Sequence, residues 1–380
     1  MKLENLQLRN FRTYAGLNLS FDKRLSFITG ANAAGKTNIL EAVSLLSLGK
    51  SFRGAGDANL ARHGANDYFI GAKYRRHDDA FHLEMGCDFS GSLKRKIKLN
   101  GKALTGRSAL IGNLVCVIFS PSDIAIVEGG PTQRRRFLDM VLSSQNQDYL
   151  RDLVMYNRTI KQRNAMLKRI KQGKATPAEL GVWNRTLTEL AGRITDTRKE
   201  FVADFQSIFM DSLRRISGDR DSLELQLTYA SEMEVDDFAG ALEKYIRRDT
   251  ALGYTTVGPH RQNLMFMGGE NDIMHYGSQG QKRSLVLSLR ISQFYFLKQR
   301  LGLSPILLID DVIRELDARR RAAFVELLHE CGQAIFTTPD LDGLEGVIRD
   351  MRSETRVFEV MGDGVVESPE LDVIPGVGGA

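Results

Sequence analysis

Apolar and polar residues alternate along LENLQLRNFRTY and GLNLSF near the amino terminus, the two-residue period of half-buried strands. RLSFITG is an unbroken apolar run that stops at glycine, and it predicts a buried strand. TNILEAVSLLSLG then switches to a 3.6-residue period closed by Gly49, which predicts a helix with its stop signal. FIGAKYRR, FHLEMGCDFS and LKRKIKLNGKAL read as antiparallel strands, the last folded at Asn100-Gly101, a pair that favours a type I′ hairpin turn. LVCVIFSP at 114–121 is a buried strand broken by Pro121.

From Thr132 to about 250 the period is helical: RRRFLDMVLSS, YLRDLVMYNRTIKQRNAMLKRIKQ and AELGVWNRTLTELAGRITDTRKEFVADFQSIF. The single tryptophan, Trp183, falls on the apolar face of the last of these, where core packing is its expected task. LELQLTYA and VGPHRQNLMFM predict strands. YGSQGQ opens another helix, and SPILLIDD is a buried strand. RRRAAFVELLHEC, QAIFTTP and TRVFEVMGDGVVE complete the pattern as helix, strand and hairpin. Strand-and-helix pieces thus occur at both ends with a helical block between them. The expected architecture is α/β: one discontinuous domain from 1–130 plus 251–380, a helical lobe over 131–250, and a flexible Pro/Gly-rich tail at 368–380.

Composition narrows this only a little. The 380 residues include 42% hydrophobic ones, enough for a sizeable core. Lys plus Arg outnumber Asp plus Glu by 52 to 47, a mild excess whose distribution says more than its size. Residues 131–174 hold eleven basic and three acidic side chains, and 175–250 hold ten and fifteen. Such segregation fits either a basic binding face or a solvated helix surface. No apolar run approaches the roughly 18 residues of a membrane span, and MKLENLQLRNFRTY lacks the apolar core of a signal peptide. Cys87, Cys116 and Cys331 are widely spaced with no CxxC, so reduced core thiols in a cytoplasmic protein are expected. The six histidines show no ligand spacing, which argues against a resident transition-metal site.

Three segments carry chemistry. Gly30, Ala31, Asn32, Ala33, Ala34, Gly35, Lys36 and Thr37 match GxxxxGK followed by Ser or Thr, between a predicted strand and a predicted helix. The glycines let backbone N–H groups turn inward onto phosphate oxygens, Lys36 adds a cation, and Thr37 offers a hydroxyl to Mg²⁺. Asp310 and Asp311 end the strand ILLIDD, and adjacent carboxylates there suit a cation and an attacking water. Ser278, Gly280 and Gln281 open a helix, so they form a second anion site. One chain rarely wraps both sites around one nucleotide. Two copies on a two-fold axis can do so reciprocally.

These motifs, in this order, resemble the ABC-type ATPase heads of the SMC class. NFRTY, GKTNILEA, LGKSFR, FSPSDIAIVEGGPTQRRRFLD, QRNAML, GPHRQNL, GSQGQKRSLVLSLR and LLIDDVIRELD narrow the resemblance to the RecF family of recombination mediators, from residue 1 to about 340. The resemblance implies an ABC-type P-loop head with an inserted helical lobe. It also implies ATP and Mg²⁺ as cofactors, an ATP-dependent homodimer, and DNA, double-stranded or gapped, bound without sequence preference. RecO and RecR are the implied partners, in loading RecA, and the ATPase should be weak and DNA-stimulated.

Residue by residue, it implies that Gly30 to Thr37 cradle phosphates, that Asp310 holds Mg²⁺ together with Thr37, and that Asp311 is the catalytic base. Ser278, Gly280 and Gln281 would meet the partner's nucleotide, with Asp317 in support, although an ordinary helix cap also explains Asp317. Arg12 and Arg53 flank the P-loop unit and would reach nucleotide or DNA. The cationic candidates for DNA are Arg75, Arg76, Lys94, Arg95, Lys96, Arg134 and Arg135, with Lys98 and Arg136 beside them.

The chain departs from the wider pattern at four points. Asp311 stands where ABC ATPases usually carry Glu, which predicts slow hydrolysis. Thr337-Thr338 replace a transporter's switch histidine, the FSPSD segment lacks the transporter glutamine, and Arg314 replaces a small residue. A transporter-type ATPase subunit and a non-hydrolysing SMC-like DNA-binding module remain alternatives on the residues alone.

Overall fold

A computed structural model describes residues 1–380 apart from 218–222, 230–236, 314–315, 343, 363 and 368–380. The expected tail at 368–380 and Arg314 therefore lie outside the described residues. The chain divides into two compact units, one of Met1–Asp123, Arg215–Ser217 and Leu287–Ala380, the other of Ile124–Arg214 and Gly218–Val286.

The first unit contains two six-stranded sheets. In one, the strands Thr355–Met361, Leu25–Thr29, Gln333–Thr337, Ile306–Asp310 and Cys116–Phe119 lie parallel in that order, with Gly364–Glu367 antiparallel at the edge. The central four, Leu25–Thr29, Gln333–Thr337, Ile306–Asp310 and Cys116–Phe119, are buried on both faces as parallel strands require, whereas Thr355–Met361 nearer the edge exposes Glu359 and Met361. Phe27 and Phe336 stack across neighbouring strands at 4.5 Å. The other sheet is antiparallel, in the order Tyr14–Ser20, Lys2–Phe11, Asp67–Arg76, Asp79–Asp88, Lys94–Leu99 and Lys102–Leu104. Its last turn has φ of 49° at Asn100 and 79° at Gly101, the type I′ geometry that Asn-Gly predicts.

The helix Lys36–Leu48 touches strands of both sheets and is buried at every residue except Thr37. Burial all round explains why its sequence carries little polar face. Gly49 ends it in the left-handed region, at φ 66°. Cys87, Cys116 and Cys331 are buried and unpaired, and burial raises the Cys116 thiol to about 12.

The second unit is mainly helical, with Pro131–Gln145, Gln147–Lys171 and most of Gly181–Ser217 as its long helices. A three-stranded sheet, Asn271–Asp272, Gln262–Gly268 and Glu224–Tyr229, completes it. Trp183 is only half-buried. Among its described residues the interior holds three buried arginines that a hydropathy pattern assigns to the surface. Arg163 pairs with Asp249 at 2.7 Å, both side chains at 0% exposure. Arg198 donates to Asp139, Tyr149, Gln262 and the Pro259 carbonyl. Arg134 is the third. Paired or well-bonded, such cations are tolerated in a core, and they join helices that the apolar contacts alone would leave free to slide. Among the described residues no helix is long and apolar enough to cross a membrane.

Candidate functional site

The P-loop leaves the parallel sheet at Thr29 and enters the helix at Lys36. Gly30 has φ 135°, and a Cβ there would lie 2.8 Å from the Val360 carbonyl oxygen. Gly35 has φ 110°, and a Cβ there would lie 2.6 Å from Thr13 Oγ1. Both positions need glycine for conformation and for space. Ala33, at φ 65°, is the one P-loop residue with a side chain in the left-handed region. Lys36 Nζ curls back to donate to the carbonyls of Gly30 at 2.6 Å and Ala31 at 2.9 Å, so its ammonium lies within the loop. Burial lowers its pKa, against the pull of Asp311 and Asp310.

Asp310 ends the neighbouring-but-one strand. Its Oδ1 accepts from Thr37 Oγ1 and from Thr337 Oγ1, each at 2.7 Å. A hydroxyl and a carboxylate meeting at the lip of a P-loop are hard oxygen donors, which suits Mg²⁺. Among the described residues no three His, Cys, Asp or Glu side chains cluster to hold a metal. A cation here would share its shell with phosphate oxygens and water, as Mg²⁺ prefers. Asp311 follows at φ 51°, its N–H donating to the Thr337 carbonyl at 3.1 Å, which turns its exposed side chain off the strand end. Asp317 caps the helix Ala318–Glu330 through the Arg320 N–H at 2.9 Å and pairs with the Arg320 guanidinium at 2.7 Å.

The Ser278–Gln281 turn belongs to the other unit. Ser278 Oγ accepts from Gln281 N at 3.2 Å, and Gln281 Oε1 accepts from Ser278 N at 2.9 Å. This reciprocal capping box bonds the Ser278 and Gln281 N–H groups within the turn, and it would have to open for them to meet a phosphate. Ser278, Gln279 and Gly280 are exposed. Glu128 stands beside the turn, 3.2 Å from Gln279 Nε2 and 3.8 Å from Lys282 Nζ.

Several expected contacts are placed elsewhere. The Arg12 guanidinium grips buried Glu41 at 2.7 and 2.8 Å and donates to the Asn59 carbonyl at 2.7 Å, contacts that hold the fold. Arg53 is the looser partner of the same acid, 3.8 Å away and 48% exposed. Arg134 is 2% exposed and cannot reach a DNA phosphate. Arg135 is half-buried and donates to the Gln262 carbonyl at 2.8 Å, and Arg136 is half-buried too. Arg95 pairs with Asp57, which also takes Arg107.

Arg75, Arg76, Lys94, Lys96 and Lys98 lie on the antiparallel sheet but not together. Arg75 pairs with Glu4 at 2.7 Å. Arg75 and Arg76 face Ala80 and Asp79 at one end, whereas Asp88 aligns with Asp67 and Lys94 at the other, roughly 25 Å away at ~3.3 Å per residue. Residue-type reasoning missed Glu41 and Glu128. It also missed Arg158, Lys161, Lys168 and Arg169, although QRNAML and its neighbours were already part of a basic block.

Residues 2–359 match the family described as the RecF/RecN/SMC N terminal domain. The DNA replication and repair protein RecF of Leptospira interrogans (serogroup Icterohaemorrhagiae serovar Lai, strain 56601) is 41% identical over 368 residues, 97% of this chain and 100% of the relative. The chain belongs to the RecF family. A solved structure of the recombination mediator protein RecF-ATP in the RecFOR pathway superposes with a TM-score of 0.87 at 30% identity, covering 97% of each chain. The Smc head domain of Pyrococcus furiosus, solved with an extended coiled coil and bound to the C-terminal domain of ScpA, shares the fold at 16% identity and a TM-score of 0.52. RecF membership, with the SMC-type ATPase head that it brings, sets the transporter-type reading aside.

Proposed function

We propose that this protein binds ATP with Mg²⁺ at Gly30–Thr37 and Asp310, and that two copies close reciprocally over two nucleotides, each lending Ser278, Gly280 and Gln281 to the other. Mg²⁺ would supply charge neutralisation on the transferring phosphoryl group. Lys36 would leave the Gly30 and Ala31 carbonyls for phosphate oxygens, and Asp311 would orient the attacking water and accept its proton. One methylene shorter than glutamate, Asp311 reaches less far, and slow hydrolysis follows. In this reading the dimer is a DNA-binding clamp at gaps or junctions that works with RecO and RecR to load RecA. DNA stimulates its weak ATPase, and hydrolysis resets it.

The observation that carries the ATP part is the meeting of Thr37 and Asp310 at 2.7 Å beneath a loop whose glycines leave no room for a Cβ. The DNA part is supported by the helix Gln147–Lys171. Residues 153–174 contain seven basic side chains and no acidic one. Arg163 is buried on Asp249. Arg158, Lys161, Lys168, Arg169, Lys171 and Lys174 are exposed and have no ion-pair partner among the described residues. Positions 158, 161, 168 and 169 share one face, opposite buried Tyr156, Ile160 and Leu167. With no aromatic exposed along it, this face suits a phosphate backbone rather than stacked bases.

ATP turnover of the wild type, Lys36→Ala and Asp310→Asn tests the reading. Loss of turnover in both variants is expected, and turnover persisting in both would overturn it.

A further inference from the structure

We propose that Arg134 is a positioning residue for the Ser278–Gln281 turn. The role rests on the reading that this turn serves a partner's nucleotide. Arg134 is 2% exposed, and among the described residues no carboxylate hydrogen-bonds its guanidinium, although the Asp272 charge attracts it. Nε donates to Asn263 Oδ1 at 2.8 Å, and NH1 donates to the Gly129 carbonyl at 2.8 Å and approaches Met274 Sδ at 3.1 Å. A buried cation that bonds only neutral groups, its charge offset through space by Asp272, is costly to keep, so a purely apolar packing role would be served better by Met or Leu.

What the guanidinium joins gives it a purpose. Gly129 directly follows Glu128, whose carboxylate faces Gln279 and Lys282 in the first turn of the helix Gln279–Leu301. Met274 sits in the short helix Ile273–Tyr276, which leads through Gly277 into Ser278. Asp272 caps that short helix at the Met274 N–H, 2.9 Å away. Arg134 therefore touches both the short helix that leads into the turn and the segment that carries Glu128, and Asn263 ties both to the strand Gln262–Gly268.

Neither segment has slack. A Cβ on Gly129 would lie 2.3 Å from the Ala125 carbonyl oxygen, and one on Gly277 would lie 2.6 Å from that of Ile273. A lysine keeps the charge but cannot span three separated acceptors. Arg134→Lys should therefore leave the protomer's own P-loop intact while spoiling the turn that it lends.

Mixed dimers separate these two roles. Lys36→Ala keeps the turn and loses the nucleotide site, and Ser278→Arg does the reverse. With ATP and Mg²⁺, that control pair should form mixed dimers, read by fluorescence transfer between labelled protomers. Arg134→Lys should pair with Lys36→Ala as well as the control does. It should not pair with Ser278→Arg, and alone it should need at least roughly tenfold more ATP than wild type to dimerise. Glu128→Ala, at an exposed position that spares the core, should show the same pattern more weakly.

Arg134→Lys and Glu128→Ala dimerising alone at wild-type ATP concentrations would overturn the role. So would Arg134→Lys failing with both partners, since that is general damage. Failure of the control pair would instead remove the reciprocal reading itself, and the role of Arg134 with it.

Discussion

Thr37 Oγ1 donates to Asp310 Oδ1 at 2.7 Å, across two strands of the parallel sheet, and Thr337 Oγ1 from the intervening strand donates to the same oxygen at 2.7 Å. The two threonines are not equivalent. Thr37 is the one position of its helix that is not buried, so its hydroxyl can turn from the carboxylate to a cation, whereas Thr337 is 2% exposed and can only hold the carboxylate in place. Thr37→Val should raise the Mg²⁺ concentration for half-maximal turnover about 10–100-fold. Thr337→Val should raise it less. A Mg²⁺ titration of ATP hydrolysis checks both, and an unchanged midpoint in Thr37→Val would contradict the assignment.

Glu41 and Arg12 should respond unequally to truncation. Glu41 is 0% exposed, and Arg12 is 21% exposed. Arg12→Ala strands a carboxylate inside the protein, with Ser51 and the distant Arg53 as its remaining partners, and should cost about 3 kcal/mol. Glu41→Gln leaves a guanidinium that can still reach water and should cost less. Chemical denaturation measures the difference. Equal losses, or a large loss of ATP affinity at unchanged stability in Arg12→Ala, would return Arg12 to the nucleotide site.

The basic face of Gln147–Lys171 makes a salt-dependent prediction. Lys168→Glu with Arg169→Glu should weaken duplex DNA binding for every sequence tested. The slope of log affinity against log salt should fall by about 0.9 for each phosphate that is no longer neutralised. Lys94→Glu with Lys96→Glu, on the antiparallel sheet, is the comparison. If it alone weakens binding, the sheet rather than the helix meets DNA.

His260 gives the second unit a pH dependence. Its Nδ1 lies 2.7 Å from the Tyr156 hydroxyl, and its Nε2 lies 3.1 Å from the Thr255 carbonyl oxygen. Burial pushes its pKa down from 6.5 to about 4, and Arg261, Arg135 and Arg198 add to the fall. Between these values the unfolded chain binds a proton that the folded one refuses, so stability falls as pH drops through that window and is level above it. His260→Gln should be less stable near neutral pH but lose less on acidification. Melting temperatures at about pH 7.5 and about pH 5, either side of the ordinary histidine pKa, compare the two slopes, and parallel slopes would contradict the account.

Much of this was legible in the chain. The P-loop, the acidic strand end and the Asn100-Gly101 hairpin are set by local rules, because glycine conformations and two-residue turns depend little on distant contacts. The arginines were not. Arg134, Arg163 and Arg198 look like the polar face of amphipathic helices, and only tertiary packing shows that Asn263, Asp249 and Asp139 wait for them. The excess charge over 131–174 was visible as a block. Which members face water depends on which side of each helix is covered, and that is why the block did not reveal that Arg134 is buried while Lys168 and Arg169 are exposed.

The central claim is that the two anion turns serve each other in a pair of chains. The most direct measurement is the molar mass of Asp311→Asn by light scattering, with and without ATP and Mg²⁺. This variant should bind ATP and hydrolyse it poorly. A mass that doubles only with ATP, and that stays at one chain when Ser278→Arg is added, is the predicted result. A mass unchanged by ATP would contradict it, leaving YGSQGQ as an ordinary capped helix start and the clamp without a mechanism.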